Sequence, residues 1–279
     1  MKKYLLLFIL ILSALMIELS SCNKDIKLKS PTSNIDGKAL LAIVNASPNF
    51  GKLYGHSDSF NVFINGKKVS GFTPGSKPPA LSFGTSFPNV NTGYGYMAVD
   101  PGNTQIKLSI SGINNLDSVP IVTFTKTLQA GKQYSFIITD NVQSTRDSSQ
   151  IFVEDVYTLP PTSGYYNLRF VDAVVNDTAM VDLYSYNKNA VVFTKIAPGG
   201  LTGFTQLGVN VQTTDTLYVT RSLPLGAPVS TPLTSRTILA KMAFQAGNQK
   251  SYTVFFKGDF SITSTTNTKY RSLSFYRHE

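Results

Sequence analysis

The chain has 279 residues, 42% of them hydrophobic, with 18 Phe, 14 Tyr, no Trp, one Cys and a formal net charge of +9. That is enough length and apolar material for two buried cores, and a lone cysteine excludes an internal disulfide, so burial must hold the fold together. The lysines are scattered and form no run of five or six, which excludes a basic arm for nucleic acid and leaves a general surface field with weak attraction for anionic glycans or lipid headgroups.

Lys2 and Lys3 precede an apolar run from Leu5 to Ile17, followed by Leu19-Ser20-Ser21-Cys22. A basic start, a short apolar stretch and small residues at a cut site predict a secretory signal over residues 1–21. The run is too short for a membrane-spanning helix. Ending on the only cysteine, the site resembles a bacterial lipobox, which implies cleavage before Cys22 and diacylglycerol on its sulfur. Residues 22–37 are polar, without apolar periodicity, and read as a lipidated flexible tether. Within them Lys24-Asp25 resembles the charged signals of Bacteroidetes-type lipoproteins. The expected location is the cell envelope, lipid-anchored at the outer membrane on its periplasmic or surface face.

From Lys38 onward the pattern is strand after strand. Gln105–Ile110 alternates strictly, with Ile106, Leu108 and Ile110 on one face and Gln105, Lys107 and Ser109 on the other, the mark of a half-buried antiparallel strand. Phe60–Ile64 runs into Asn65-Gly66, the dipeptide that best accepts the positive φ angles of a type I′ hairpin. Asp100-Pro101-Gly102 and Ala130-Gly131 punctuate further strands. No amphipathic helix longer than two turns follows residue 22.

The strand pattern is duplicated. Leu40–Ala46 is echoed by Asn167–Ala173, Phe60-Asn61-Val62-Phe63 by Val181-Asp182-Leu183-Tyr184, and Leu128-Gln129-Ala130-Gly131 by Phe244-Gln245-Ala246-Gly247. The second copy of the last block has two extra residues before its strand, an even insertion that keeps the inward face inward. Closing strands are expected over Ile151–Tyr157 and Tyr270–Tyr276, and the seam is Leu159-Pro160-Pro161-Thr162-Ser163-Gly164. The reading is all-β: two tandem immunoglobulin-like antiparallel β-sandwich domains, 38–160 and 163–279, after the signal and tether.

Ala42-Ile43-Val44-Asn45-Ala46-Ser47-Pro48-Asn49, Phe60–Gly66 and the Ala130-Gly131 turn before a Tyr-led strand resemble the domain of unknown function 4397 family. In the second copy Val181-Asp182-Leu183-Tyr184 fits the family's Val-Asp-Val-Tyr pattern, while Ala173-Val174-Val175 lacks its Ser-Pro. The resemblance implies a β-sandwich at the cell envelope and brings no catalytic residue with it.

The residues offer little chemistry of their own. The two histidines, His56 and His278, cannot supply a clustered zinc site, and no His-Glu-x-x-His, Gly-x-Ser-x-Gly or phosphate-binding glycine loop is present. Ser185-Tyr186-Asn187-Lys188 matches Ser-x-x-Lys but falls where a β-turn is expected. Asp172, Asp177 and Asp182 recur around one predicted loop, in a spacing that fits no calcium loop and serves turns equally well. Gly93-Tyr94-Gly95-Tyr96 is either an aromatic platform for a sugar, built on Tyr94 and Tyr96, or a strand entering the core. Ser118, Thr178 and Thr216 stand in Asp-Ser/Thr-apolar triplets that resemble O-glycosylation sites of exported Bacteroidetes-type proteins. The expectation is a non-enzymatic binding, adhesion or spacer protein without cofactor or metal. It is held to a membrane through Cys22, with a glycan or an envelope protein as partner and no nucleic acid. The alternative is a glycan-binding accessory to polysaccharide uptake.

Overall fold

The computed structural model describes residues 36–50, 59–70, 81–88, 95–110, 119–140, 150–209, 213–224, 228 and 231–278. The expected lipidation site Cys22, Tyr94, Ser118 and His56 lie outside them. The first ten strands are β1 (Ala39–Asn45), β2 (Ser59–Ile64), β3 (Lys67–Lys68), β4 (Leu81–Ser82), β5 (Ser86–Phe87), β6 (Met97–Val99), β7 (Gly102–Ile110), β8 (Val119–Leu128), β9 (Gln133–Ile138) and β10 (Ile151–Glu154). Eight more follow the seam: β11 (Tyr165–Asp172), β12 (Val181–Ser185), β13 (Ala190–Ile196), β14 (Thr205–Gly208), β15 (Asp215–Arg221), β16 (Ile238–Phe244), β17 (Ser251–Lys257) and β18 (Ser272–Arg277). A 3₁₀ turn spans Leu233–Ser235.

These strands make two sandwiches of one topology. In the first, a sheet ordered β10-β9-β1-β5, with β6 also on β1, faces one ordered β3-β2-β7-β8, with β4 on β2. In the second, β18-β17-β11-β14 faces β13-β12-β15-β16. The expected repeat holds to the residue: Leu40 stands beside Gln133, and Asn167 beside Ser251. Even the irregularities recur, with a register shift between Leu108 and Ser109 on β7 and one between Val219 and Thr220 on β15. One feature differs from the antiparallel expectation. Each module joins its first strand to a late one in parallel, β1 with β9 and β11 with β17, because the chain crosses to the opposite sheet and back between them.

The turn chemistry explains the ends of the strands. Asn65 (φ 49°) and Gly66 (φ 80°) close the β2–β3 hairpin with the paired positive φ values of a type I′ turn. The Tyr134 hydroxyl accepts from the Gln129 N–H at 3.2 Å, and Tyr252 accepts from Gly247 at 2.9 Å, so each Tyr-led strand staples its own preceding turn.

Burial explains why the opening strands read as unbroken apolar runs. Leu41 and Ile43 of β1, with Tyr134, Phe136 and Ile138 of β9, fill the first core against Phe60, Val62, Ile106, Leu108 and Phe124. Leu168, Phe170, Tyr252, Val254 and Phe256 do the same in the second against Val181, Leu183, Leu217 and Val219. The alternate residues on these strands face neither core nor water. Val44, Ala46, Ile137 and Ile151 meet Val171, Ala173, Phe255 and Tyr276 in a third cluster that joins the two modules. Four sheets therefore stack with the two repeated first strands in the middle, buried on both faces. Residues Gly37–Glu279 form one compact unit.

A buried polar network completes this contact. Arg169 of β11, 1% exposed, pairs with Asp155 at 2.5 Å, donates from Nε to Thr253 Oγ1 at 3.0 Å, and reaches the hydroxyls of Ser135 (3.3 Å) and Tyr276 (3.2 Å). Asp155 Oδ2 also accepts from Ser135 (2.6 Å) and Tyr96 (2.7 Å). Thr253 Oγ1 lies 2.8 Å from His278 Nε2, and His278 Nδ1 meets the Tyr96 hydroxyl. The single Tyr96 hydroxyl proton goes to Asp155, so the imidazole proton sits on Nδ1 and donates to Tyr96, and Nε2 accepts from the Thr253 hydroxyl. Burial, reinforced by Arg169, holds His278 well below the ordinary histidine range and therefore neutral.

Removing one partner of a buried pair leaves the other charge without compensation. Arg169→Met should lower unfolding stability by about 3–5 kcal/mol. The double variant Arg169→Met/Asp155→Leu should lose clearly less than the sum of the single losses. Urea unfolding of all four forms checks this, and additive losses would show that the pair does not act as a unit.

Candidate functional site

The network settles where Tyr96 belongs. Its hydroxyl is committed to Asp155 and His278, its ring lies 5.5 Å from the His278 ring, and burial raises its pKa well above the ordinary tyrosine value. Gly95 brings the backbone so close to β18 that a Cβ there would stand 2.4 Å from the Arg277 carbonyl oxygen. Tyr96, half-buried, thus braces the junction of the modules. Sequence reasoning did not foresee that Ser135, Thr253, Asp155 and His278 would converge. Thr253, His278 and Asp155 have the outline of a nucleophile, base and acid. Thr253 is fully buried, however, and His278 is packed among the rings of Tyr157, Phe204 and Tyr276, so no substrate reaches the hydroxyl.

An open pocket of about 690 Å³ lies at one end of the second sandwich, and its lining includes Tyr165, Tyr166, Asn187, Lys188, Asp215 and Phe244. Its position follows from the topology: the start of β11, the β12–β13 turn, the end of β14, the start of β15 and the end of β16 all arrive at the same edge. Tyr166 and Phe244 give the pocket an aromatic base formed by the edge of the core, and both pack edge-to-face or tilted with Tyr252, the three ring centroids lying 5.2–6.2 Å apart. Burial is the main cause that pushes the Tyr166 hydroxyl upward, with the Asp215 carboxylate adding to it. Tyr165, 42% exposed, is the free aromatic at the rim.

The Ser-x-x-Lys match lies in this wall and forms the expected turn. Ser185 is fully buried, donates to Asp215 Oδ2 at 2.5 Å and accepts from the Lys188 backbone N–H at 3.2 Å. Lys188 Nζ points across to the Gly208 carbonyl at 3.0 Å. The serine is a turn brace: its proton is held by Asp215, and the Lys188 ammonium is engaged with the Gly208 carbonyl instead of the serine. The pocket presents the exposed Tyr165 ring, the Asn187 amide, the Lys188 ammonium and the Gly208 backbone.

The acidic residues separate instead of converging. Asp177 pairs with Arg221 at 2.6 Å and Asp182 with Arg236 at 2.9 Å, while Asp172 caps the chain turn with an Oδ1 bond from the Val174 N–H at 3.0 Å. Among the described residues no acidic, His or Cys group of three is arranged to hold a metal. Thr178 is exposed in the turn after Asp177, whose Oδ1 accepts from the Ala179 N–H. Thr216 sits half-buried within β15, opposite Ala243.

Asp172 occupies the repeat position of Asn45. There the amide accepts from Ser47 and donates to the Leu81 carbonyl. Asp172 Oδ2 has no hydrogen-bond partner among the described residues, and burial raises its pKa from 3.8 to about 8. The folded chain therefore holds this proton through a range in which the unfolded chain has lost it. The Asp172 contribution to stability falls as pH rises from about 4 to about 8 and is level above. Asp172→Asn should flatten that slope and stabilise the protein at pH 8 by on the order of a few kcal/mol, read from urea unfolding across the range.

No curated protein sequence matches the chain. Among solved structures it is similar to a family 26 carbohydrate-binding module from Eubacterium rectale, crystallised with maltoheptaose. That match has 11% identity and a TM-score of 0.23, over 85% of this chain and 96% of the other. A candidate cell-adhesion protein from Bacteroides fragilis gives 8% identity and a TM-score of 0.21, over 87% and 98% of the two chains. At these TM-scores the superpositions say nothing about what this chain binds. The family model described as Domain of unknown function (DUF4397) matches residues 39–176, from the first residue of β1 to the turn after β11, and that span belongs to this family.

Proposed function

We propose that the chain is a non-enzymatic, lipid-anchored cell-envelope protein in which the two fused sandwiches form a stiff body that presents a binding pocket. The observation that carries this reading is the open pocket of about 690 Å³ on an aromatic base, rimmed by Tyr165, Asn187 and Lys188. A glycan is the ligand class that suits it, since one face of a sugar stacks on a ring while its hydroxyls meet amide and carbonyl groups. A non-catalytic role is supported by Ser185 and Thr253, whose hydroxyls are both buried and used within the fold. The anchor rests on the lipobox resemblance at Cys22. An acyl chain contributes about 0.8 kcal/mol per buried methylene, and two chains suffice for stable attachment.

Two measurements test the two halves separately. Cys22→Ala should shift the protein from the membrane to the soluble fraction of its host, and unchanged membrane retention would remove the anchor. On a glycan array, the full chain in detergent should show saturable binding that Tyr165→Ala reduces at least tenfold. Binding of equal strength in the variant would remove the pocket from the reading.

A further inference from the structure

A second pocket, of about 420 Å³, lies at the seam of the two modules and is lined by Ser59, Ser82 and Phe83 from the first and Lys257, Thr268 and Lys269 from the second. Lys257 is its unusual member. The side chain is 8% exposed, its Nζ donates to Ser272 Oγ at 2.9 Å, and it sits 4.3 Å above the Phe83 ring. Among the described residues no carboxylate is paired with it, and desolvation alone lowers its pKa to about 8. A buried ammonium with no counter-ion among the described residues costs stability, and the fold does not need one at this point. The repeat partner of Lys257 is Thr139, a buried residue whose N–H donates to the Gln150 side chain at 2.7 Å. The first module also makes way for the lysine. A Cβ on Gly84 would stand 2.7 Å from Lys257 Cε, and the glycine's φ of +80° keeps a side chain out in any case.

We infer that this seam pocket binds an oxyanionic group, the carboxylate or sulfate of an acidic sugar, with Lys257 as its counter-ion. Ser59, Ser82 and Thr268 line the same pocket with polar residues, the kind of wall that suits a sugar-borne acid. Phe83 supplies a ring face, and the volume exceeds what a bare anion fills. The assignment stands independently of the pocket beside Tyr165, because no lining residue is shared between them.

Calorimetric titration of the full chain with galacturonate, galactose and inorganic sulfate tests the assignment. Galacturonate should bind saturably and at least tenfold more tightly than galactose. Lys257→Met should weaken it at least tenfold, whereas Lys241→Met, on the exposed face of β16, should leave it unchanged. Galacturonate binding more tightly than sulfate assigns the site to a sugar-borne acid, and equal affinities assign it to the anion alone; both support an oxyanion site. Absence of saturable binding by either anion, or binding indifferent to Lys257→Met, overturns it. Should Lys257→Met fail to fold, acetylation of the parent protein across pH, read by mass spectrometry, replaces it. The Lys257 amine should then titrate at higher pH with galacturonate present, and an unmoved midpoint overturns the proposal.

Discussion

The arrangement of the two modules depends on one buried ion pair, Arg169 with Asp155. A guanidinium that is 1% exposed has lost its hydration, a cost of several kcal/mol that only a full set of partners offsets. Arg169 finds them in Asp155, Ser135, Tyr276 and Thr253, with the Phe204 ring 4.6 Å from its carbon. Apolar contact is non-directional, and the side chains of Val44, Ile137, Val171 and Phe255 alone would tolerate sliding. The hydrogen bonds do not tolerate it, because a shift of one strand spacing would leave several buried donors and acceptors unpaired. Hydrophobic burial brings the sheets together, and the polar network fixes their register.

The network also shows how one module was adapted to hold another. Asp155 and His278 are equivalent positions: each follows its closing strand, and each N–H bonds back across its sheet, to the carbonyl of Gln133 at 2.8 Å and of Ser251 at 2.9 Å. Ser135 and Thr253 are equivalent too, as are Ala42 and Arg169. The duplicated frame therefore supplies the places, and acid, imidazole and guanidinium differ only in which copy carries them. At the far side of the junction Asn49 and Asn176, also repeat partners, both donate to Asp259 at 2.7 Å. Ser47 and Asn49 of the family-like Ala-Ser-Pro-Asn segment bond to Asp140 as well. The segment is thus a brace for the loop after β9. The second copy, with Val174-Val175 in place of Ser47-Pro48, keeps the alanine and the asparagine but not the serine that bonds to the loop.

What the sequence made legible was whatever depends on local rules. Period-two alternation in β7, the Asn65-Gly66 hairpin and the even insertion before Tyr252 each depend on the geometry of one strand or turn, so the residues declare them. The register of the repeat was legible for the same reason. The junction was not, because its partners are separated by more than a hundred positions in some cases, as with Ser135 and Tyr276. Arg169 inside Asn-Leu-Arg-Phe-Val was the available signal, a charge in the middle of an otherwise apolar strand whose neighbours face a core. It pointed to a second buried face. Tyr96 was readable only as an aromatic after a glycine, and its place in the junction depends on a β18 contact that no local pattern encodes. The pocket beside Tyr165 gathers residues from five separate elements and leaves no motif behind.

Stacking four sheets also restricts where a ligand can bind. The two middle sheets spend both faces on packing, so neither is available as a broad platform. Recognition is left to the loop ends of the sandwiches and to the margins of the junction, where side chains from different strands meet without a sheet to satisfy. Both pockets described occur in such places, one at the end of the second sandwich and one at the seam. Each also depends on the second copy, which supplies Tyr165, Lys188 and Lys257, while the family match ends at residue 176. Lys188 and Lys257 lie beyond that limit. Tyr165 opens β11, Lys188 lies in the β12–β13 turn and Lys257 closes β17, so both pockets draw on strand ends of the second copy.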